Sequence, residues 1–201
     1  MADQNQKDER YKARQQKVKE SVDAKIDAAQ IEKGLFLIIT GNGKGKSTSG
    51  FGTVARAVGH GLRCGVGQFI KGTWDCGERN LLEQHNVTFA VMATGFTWET
   101  QNKEADKQAA QTTWAECKKM LADESYDLVL LDEMTYMVNY GYVELEDVLT
   151  AISQRPATQS VIITGRAAHR DLIEVADTVS EVRSIKHAFE NGIKARKGVD
   201  W

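Results

Sequence analysis

One stretch constrains this chain more than any other. It is Leu35-Phe-Leu-Ile-Ile-Thr-Gly-Asn-Gly-Lys-Gly-Lys-Ser-Thr48, where an apolar run enters a glycine-lysine loop directly. A Pro-free, helix-compatible segment follows, from about Ser47 to Gly59. Strand, loop and helix in that order are what a phosphate-binding P-loop requires. Glycines let the backbone curl so that successive N–H groups face a polyanion, and the next helix adds free N–H groups and the positive end of its dipole. On this reading Gly41, Asn42, Gly43, Lys44, Gly45, Lys46, Ser47 and Thr48 form the nucleotide site, with Lys46 as a reaching cation and Ser47 as a hydroxyl ligand for Mg²⁺. The entry departs from G-x-x-x-x-G-K-[ST], because Thr40 stands where the first glycine belongs and Gly41 comes one residue late. The competing reading is a glycine-rich turn with no ligand; the alternating glycines, the two lysines and the flanks weigh against it.

A second signal lies about 85 residues farther on, in Tyr126-Asp-Leu-Val-Leu-Leu-Asp-Glu133. An apolar run ending in Asp132 reads as a Walker B strand, which delivers a carboxylate beside the loop to hold Mg²⁺ directly or through water. Glu133 is adjacent. Farther along the first helix, Arg56 is placed either to turn toward the phosphates or to lie on the surface. Arg166, His169 and Arg170 follow another buried strand, Ser160-Val-Ile-Ile-Thr-Gly165, and read as solvated helix-start residues more readily than as phosphate sensors.

Composition narrows the class. The chain has 201 residues, enough for one well-buried domain; 27% are charged, 41% hydrophobic, and the net charge of −2 implies no general nucleic-acid surface. No apolar run is long enough to span a bilayer, and the polar N-terminus lacks a secretory core, so a cytoplasmic protein is expected. The three cysteines fit no zinc spacing and read as free thiols in a reducing compartment.

Residues 1–33 differ from the rest: charged, glycine-free, with Tyr11, Val18, Val22, Ile26 and Ala29 on one side of a helix expected from about Asp8 to Glu32. So thin a stripe is marginal alone. It suits either a solvated helix or an arm that reaches a ligand or a second subunit. Residues 34–201 read as the nucleotide-binding domain. Short apolar runs near 64–70, 87–92, 126–132, 160–164 and 177–182 alternate with helical patterns, including Asn102 to Leu121 with Ala105, Ala109, Trp114, Cys117 and Leu121 inward. That alternation predicts α/β architecture: a single doubly wound, mostly parallel sheet of RecA-like P-loop type, helices on both faces and an N-terminal helical arm. Ligands then sit at the carboxyl ends of the strands. Phe96 and Trp98, in a Gly/Thr loop, are either a local core plug or a platform for a flat ligand. These features leave three readings open: ATP hydrolysis or phosphoryl transfer with Glu133 orienting water, a nucleotide-dependent regulator, or attack at the ribose end of ATP.

Several segments resemble the bacterial P-loop ATP:corrinoid adenosyltransferases. They are Thr40-Gly-Asn-Gly-Lys-Gly-Lys-Ser-Thr48, Ala55-Arg-Ala-Val-Gly-His-Gly61, Gln68-Phe-Ile-Lys-Gly-Thr-Trp74, Val91-Met-Ala-Thr-Gly-Phe-Thr-Trp-Glu-Thr100, Leu131-Asp-Glu-Met-Thr-Tyr-Met137, Val161-Ile-Ile-Thr-Gly-Arg166 and the ending Gly192-Ile-Lys-Ala-x-x-Gly-Val-Asp-Trp201. The Gly-Phe-Thr-Trp segment is far more specific than the P-loop, and the Thr40 entry belongs to the family pattern. Ser47, where Thr is common, is a mild departure. The resemblance implies transfer of the 5′-deoxyadenosyl group of ATP to Co(I) of a reduced corrinoid with release of triphosphate, in adenosylcobalamin synthesis or salvage. It implies Lys46, Glu133, Phe96 and Trp98 as catalytic groups, the loop with Arg56 on the nucleotide, and Ser47, Glu133 and Asp132 near Mg²⁺ or Mn²⁺. Phe96 and Trp98 would fill the lower axial face of the corrinoid with groups that cannot coordinate. It further implies a homodimer, a reduced flavoprotein as electron donor, and an N-terminal helix covering the corrinoid.

Overall fold

The computed structural model describes residues 2–70, 75–92 and 102–200. Two compact units are present, Met1–Glu32 and Lys33–Trp201.

The first unit is one helix, α1 (Ala2–Ala28). It begins before Asp8 and stops short of Glu32. Its last turn closes with the Ala29 N–H on the Ile26 carbonyl, and the Gln30 side chain donates to the Asp27 carbonyl at 2.7 Å, which satisfies two of the terminal carbonyls. Every residue from Gln6 to Lys33 is exposed, including the stripe of Tyr11, Val18, Val22 and Ile26.

The second unit is built on β1 (Phe36–Thr40), β2 (Cys64–Gln68), β3 (Thr88–Val91), β4 (Leu128–Asp132), β5 (Ser160–Thr164) and β6 (Thr178–Glu181). They form one six-stranded sheet, order β3-β2-β4-β5-β1-β6, in which each pairing is parallel. The strands read as unbroken apolar runs because both faces are covered. Along β4, Val129 and Leu131 enter one core cluster while Leu128 and Leu130 enter another; β1 and β5 alternate in the same way. The second cluster is closed by α2 (Lys46–Gly59) through Phe51, Val54 and Ala57, and by α3 (Gly77–Glu83) through Leu82. The first is closed by α4 (Lys103–Ala122), α5 (Met134–Asn139), α6 (Leu145–Ser153) and α7 (Arg170–Val175).

On α2 the buried alanine is Ala57, while Ala55 is exposed. One register differs from expectation. On α4 the buried positions are Asp106, Ala110, Thr113, Trp114, Cys117, Met120 and Leu121, with Ala105 exposed. Counting back from Trp114 in steps of four leads to Ala110 and Asp106; Ala109 is half-buried and packs against the same core, and only Ala105 of the expected inward residues is exposed. Helix geometry, not side-chain polarity, sets the face. Helix α5 spans six residues, too few to show a helical period in the sequence.

Helix α4 lies so close over β2 that a Cβ at Gly67 would come 2.3 Å from Cys117 Sγ, and one at Gly65 2.5 Å from Met120 Sδ. This burial pushes the Cys117 thiol up to about 12, and burial together with the Asp127 charge pushes Cys64 up to about 11. All three cysteines are free and buried. Native protein at about pH 8 is therefore expected to react with less than one equivalent of a thiol reagent, and unfolded protein with all three thiols; rapid native labelling would contradict this packing.

Candidate nucleotide site

The first half of the site is made where β1 ends. Gly41 (φ 101°) and Gly45 (φ 117°) take left-handed backbone that other residues adopt only at a cost, and between them the loop turns back toward α2. The loop is held from outside by the chain after β6: the Gly43 N–H donates to the Val182 carbonyl at 2.7 Å, and a Cβ on Gly43 would lie 2.7 Å from the Arg183 carbonyl. Gly45 caps α2 without a side-chain bond, and no acidic residue stands in the first turn. The first N–H groups and the positive dipole end of a 14-residue helix are thus left to a ligand.

Lys46 is 7% exposed and donates from Nζ to the Gly43 carbonyl at 2.8 Å, folded over its own loop. Burial lowers its pKa; the Glu133 charge opposes that shift, Arg166 adds to it and Asp132 opposes it. The lysine, two carboxylates and an arginine therefore share one electrostatic neighbourhood, although they come from three strand ends.

The second half comes from β4 and β5. Asp132 is fully buried at the end of β4 and accepts a hydrogen bond from Thr164 Oγ1 at 2.7 Å. The same hydroxyl accepts from the Glu133 N–H at 2.9 Å. Glu133 itself sits at φ 63°, ψ 20°, left-handed for a residue that is not glycine. Such backbone costs on the order of 1–3 kcal/mol and persists only where its surroundings hold it.

These residues open on a cleft of about 530 Å³. It is lined by the run Asn42 to Thr48, by Glu133 and Arg166, by Gly77, Glu78 and Leu81 of α3, and by His187 and Gly198–Asp200 of the C-terminal segment. Lys44 pairs with Asp200 at 2.7 Å, and Lys197 pairs with Asp75 at 3.5 Å. Two ion pairs thus tie the C-terminal segment to the rest of the domain.

Among the site residues expected from sequence, Asn42, Gly43, Lys44, Gly45, Lys46, Ser47, Thr48 and Glu133 line this one cleft. Gly41 shapes the loop behind it. Asp132 lies beneath it, bound to Thr164. Arg56 is exposed in the last turn of α2, about 15 Å along the axis from Lys46, and is not part of the lining. Phe96 and Trp98 lie outside the described residues. Arg166 is part of the lining, whereas His169 instead caps α7, its Nδ1 accepting from the Asp171 N–H at 3.3 Å. Asp200 belongs to the family-like C-terminal ending, and His187 carries no local sequence signal; neither was expected in the site, since only tertiary folding brings them to the cleft.

Comparison with known proteins identifies the family. Residues 32–201 match the family described as ATP:corrinoid adenosyltransferase BtuR/CobO/CobP, and residues 1–26 match the one described as Cob(I)alamin adenosyltransferase N terminal. The chain is 61% identical over 194 residues to the corrinoid adenosyltransferase of Escherichia coli K12, covering 96% of this chain and 99% of that one. It has the same identity and coverage with corrinoid adenosyltransferase CobA of Salmonella typhimurium LT2. It is 47% identical over 203 residues to the corrinoid adenosyltransferase of Pseudomonas aeruginosa PAO1, across the full length of both. A glycine-lysine loop and a buried carboxylate strand meeting in one cleft, within a chain matched from end to end, place this protein in the ATP:corrinoid adenosyltransferase family.

Proposed function

We propose that the cleft grips the triphosphate of ATP and turns its ribose end outward toward the corrinoid. The activity is the family's: an adenosyl group passes from ATP to a corrinoid, as in cobalamin synthesis or salvage. The observation that carries the proposal is the meeting of Lys46, the uncapped start of α2, Arg166 and Glu133 around one cavity. Triphosphate is a good leaving group only where its charge is met, and these are the groups that meet it. The single strand β5 standing between β1 and β4 supports the RecA-like P-loop assignment.

In the transfer, the electron pair of Co(I) forms the bond to the ribose 5′-carbon. The carbon–oxygen bond to the triphosphate breaks, and its pair leaves with the triphosphate. The chain supplies position and countercharge, not a nucleophile. Among the described residues no three Asp, Glu, His or Cys side chains cluster closely enough to cage a cation. The donors nonetheless fit Mg²⁺, which takes one or two protein oxygens and completes its shell with phosphate and water. Ser47 and Glu133 would hold it, with Asp132 behind, and it would neutralise charge on the leaving triphosphate. Phe96 and Trp98 serve as the non-coordinating surface under the corrinoid. The exposed stripe of α1 suits an arm over a corrinoid site in a homodimer, and a reduced flavoprotein delivers the electron. No described helix is long and apolar enough to cross a membrane; the cytoplasm is the proposed compartment.

Incubation with ATP, Mg²⁺ and a chemically reduced corrinoid is expected to yield a light-sensitive cobalt–carbon product and intact triphosphate. Orthophosphate without that product would mark a hydrolase. In the same cleft Asp200 competes with phosphate for Lys44, and the Lys44 hydrogen bond holds the Asp200 carboxyl below its usual range in a solvent-screened surface pair. Asp200→Asn is expected to tighten inorganic triphosphate binding by no more than about fivefold, read by calorimetry. Weakened binding would show that the segment supports the ligand instead of competing with it.

A further inference from the structure

The Thr164 hydroxyl stands between the two halves of the site. β5 runs between β1 and β4, and the pairing of Leu131 with Ile163 sets Thr164 beside Asp132. Thr164 is fully buried, so its bonds exchange with no solvent. Its Oγ1 donates to Asp132 and accepts from the Glu133 N–H, which uses the hydroxyl in both directions. Its methyl faces α2: a Cβ added to Gly50 would lie 3.1 Å from Thr164 Cγ2. One small side chain thus touches the buried carboxylate, the left-handed backbone of Glu133 and the helix that carries Lys46.

We propose that Thr164 is a positioning residue for adenosyl transfer: its hydroxyl fixes the Glu133 backbone, and through it the direction of the Glu133 carboxylate in the cleft. This rests on the reading above that Glu133 acts at the nucleotide. Side-chain packing on α5 does not achieve the same end, because Glu133 precedes that helix and its N–H is tied to β5 instead. Only a group that both donates and accepts satisfies Asp132 and Glu133 together. Serine retains that capacity, cysteine weakly, and valine keeps the shape with neither.

The test uses the full-length enzyme with ATP, Mg²⁺ and chemically reduced corrinoid. Thr164→Val is expected to lower kcat about 10- to 100-fold, Thr164→Cys less, and Thr164→Ser no more than about threefold, with the KM for corrinoid unchanged. In a Glu133→Gln background, Thr164→Val is expected to lower kcat less than about twofold further, since the residue it positions is already disabled. A purely structural role predicts the opposite, an undiminished loss in both backgrounds. That outcome overturns the proposal, as does wild-type kcat in Thr164→Val. If the valine variant does not fold, the order of serine above cysteine decides, and equal activity of the two overturns it. Wild-type kcat in Glu133→Gln alone would remove Glu133 from the reaction and with it the reading on which the proposal rests. Reduced Glu133→Gln with unimpaired Thr164→Val would sink the positioning role alone.

Discussion

Lys46→Ala is expected to weaken ATP binding about 10- to 150-fold while the protein stays folded. The ammonium is replaced in a cleft where a charge-assisted hydrogen bond is worth about 1.5–3 kcal/mol. Folding should tolerate the change, because among the described residues the hydrogen bond that the side chain gives up is to the Gly43 carbonyl, at the lining of an open cleft. The same residue sets a pH dependence. Burial lowers its pKa from the ordinary 10.5, and phosphate binds the protonated form. Affinity is therefore retained below the lowered value and lost as pH rises through it, in a window that opens below pH 10.5. Calorimetric titrations of the two proteins at rising pH should show a falling affinity for the wild type and a flat, weak one for the variant. Unchanged affinity in Lys46→Ala would remove the loop from the phosphate site.

Gly165→Ala carries the largest expected effect on stability. Gly165 sits at φ 136°, outside the range of side-chain-bearing residues, and a Cβ there would lie 2.0 Å from Thr135 Oγ1. Thr135 is 1% exposed in α5 and has no room to withdraw. Strain and overpacking together are expected to cost about 3–5 kcal/mol, a fall in Tm of roughly 6–20 °C for a chain of this size. Thr135→Ala removes the nearest atom, so in that background the added cost of Gly165→Ala should shrink to the backbone component, about 1–3 kcal/mol. Thermal unfolding of the four proteins measures both. A Tm within about 2 °C of wild type in Gly165→Ala would contradict this packing between β5 and α5. Because Gly165 stands between Thr164 and Arg166, the surviving folded protein should also lose activity.

Much of this molecule was legible before folding, and for definable reasons. The strands were recognisable because burial on both faces demands continuous apolar runs, as in Leu128-Val-Leu-Leu131. The loop was recognisable because left-handed turns demand glycine, here at 41 and 45. Harder to see was anything set by register or by distance along the chain. Ala105 gave way to Asp106 because a buried helical face admits a polar residue when geometry places it there. Of the two positions open to Arg56, the described fold has the exposed one, while Arg166, some 120 residues beyond Lys46, lines the cleft. Phe96 and Trp98 carried the most specific family signal, yet they lie outside the described residues, so their role stands on that resemblance.

The order of residues by itself determined that a glycine-lysine turn would join a buried strand to a helix, that a second strand would end in two carboxylates, and which family the chain resembles. These are local properties, since backbone sterics and hydrophobic patterning act over neighbouring residues. Only the tertiary structure decided that β5 would stand between those strands, that one threonine hydroxyl would bridge Asp132 and Glu133, and that Asp200 would cross to Lys44. Such contacts join residues far apart in sequence. Their partners are chosen by sheet pairing and packing across the whole domain, which no local pattern encodes.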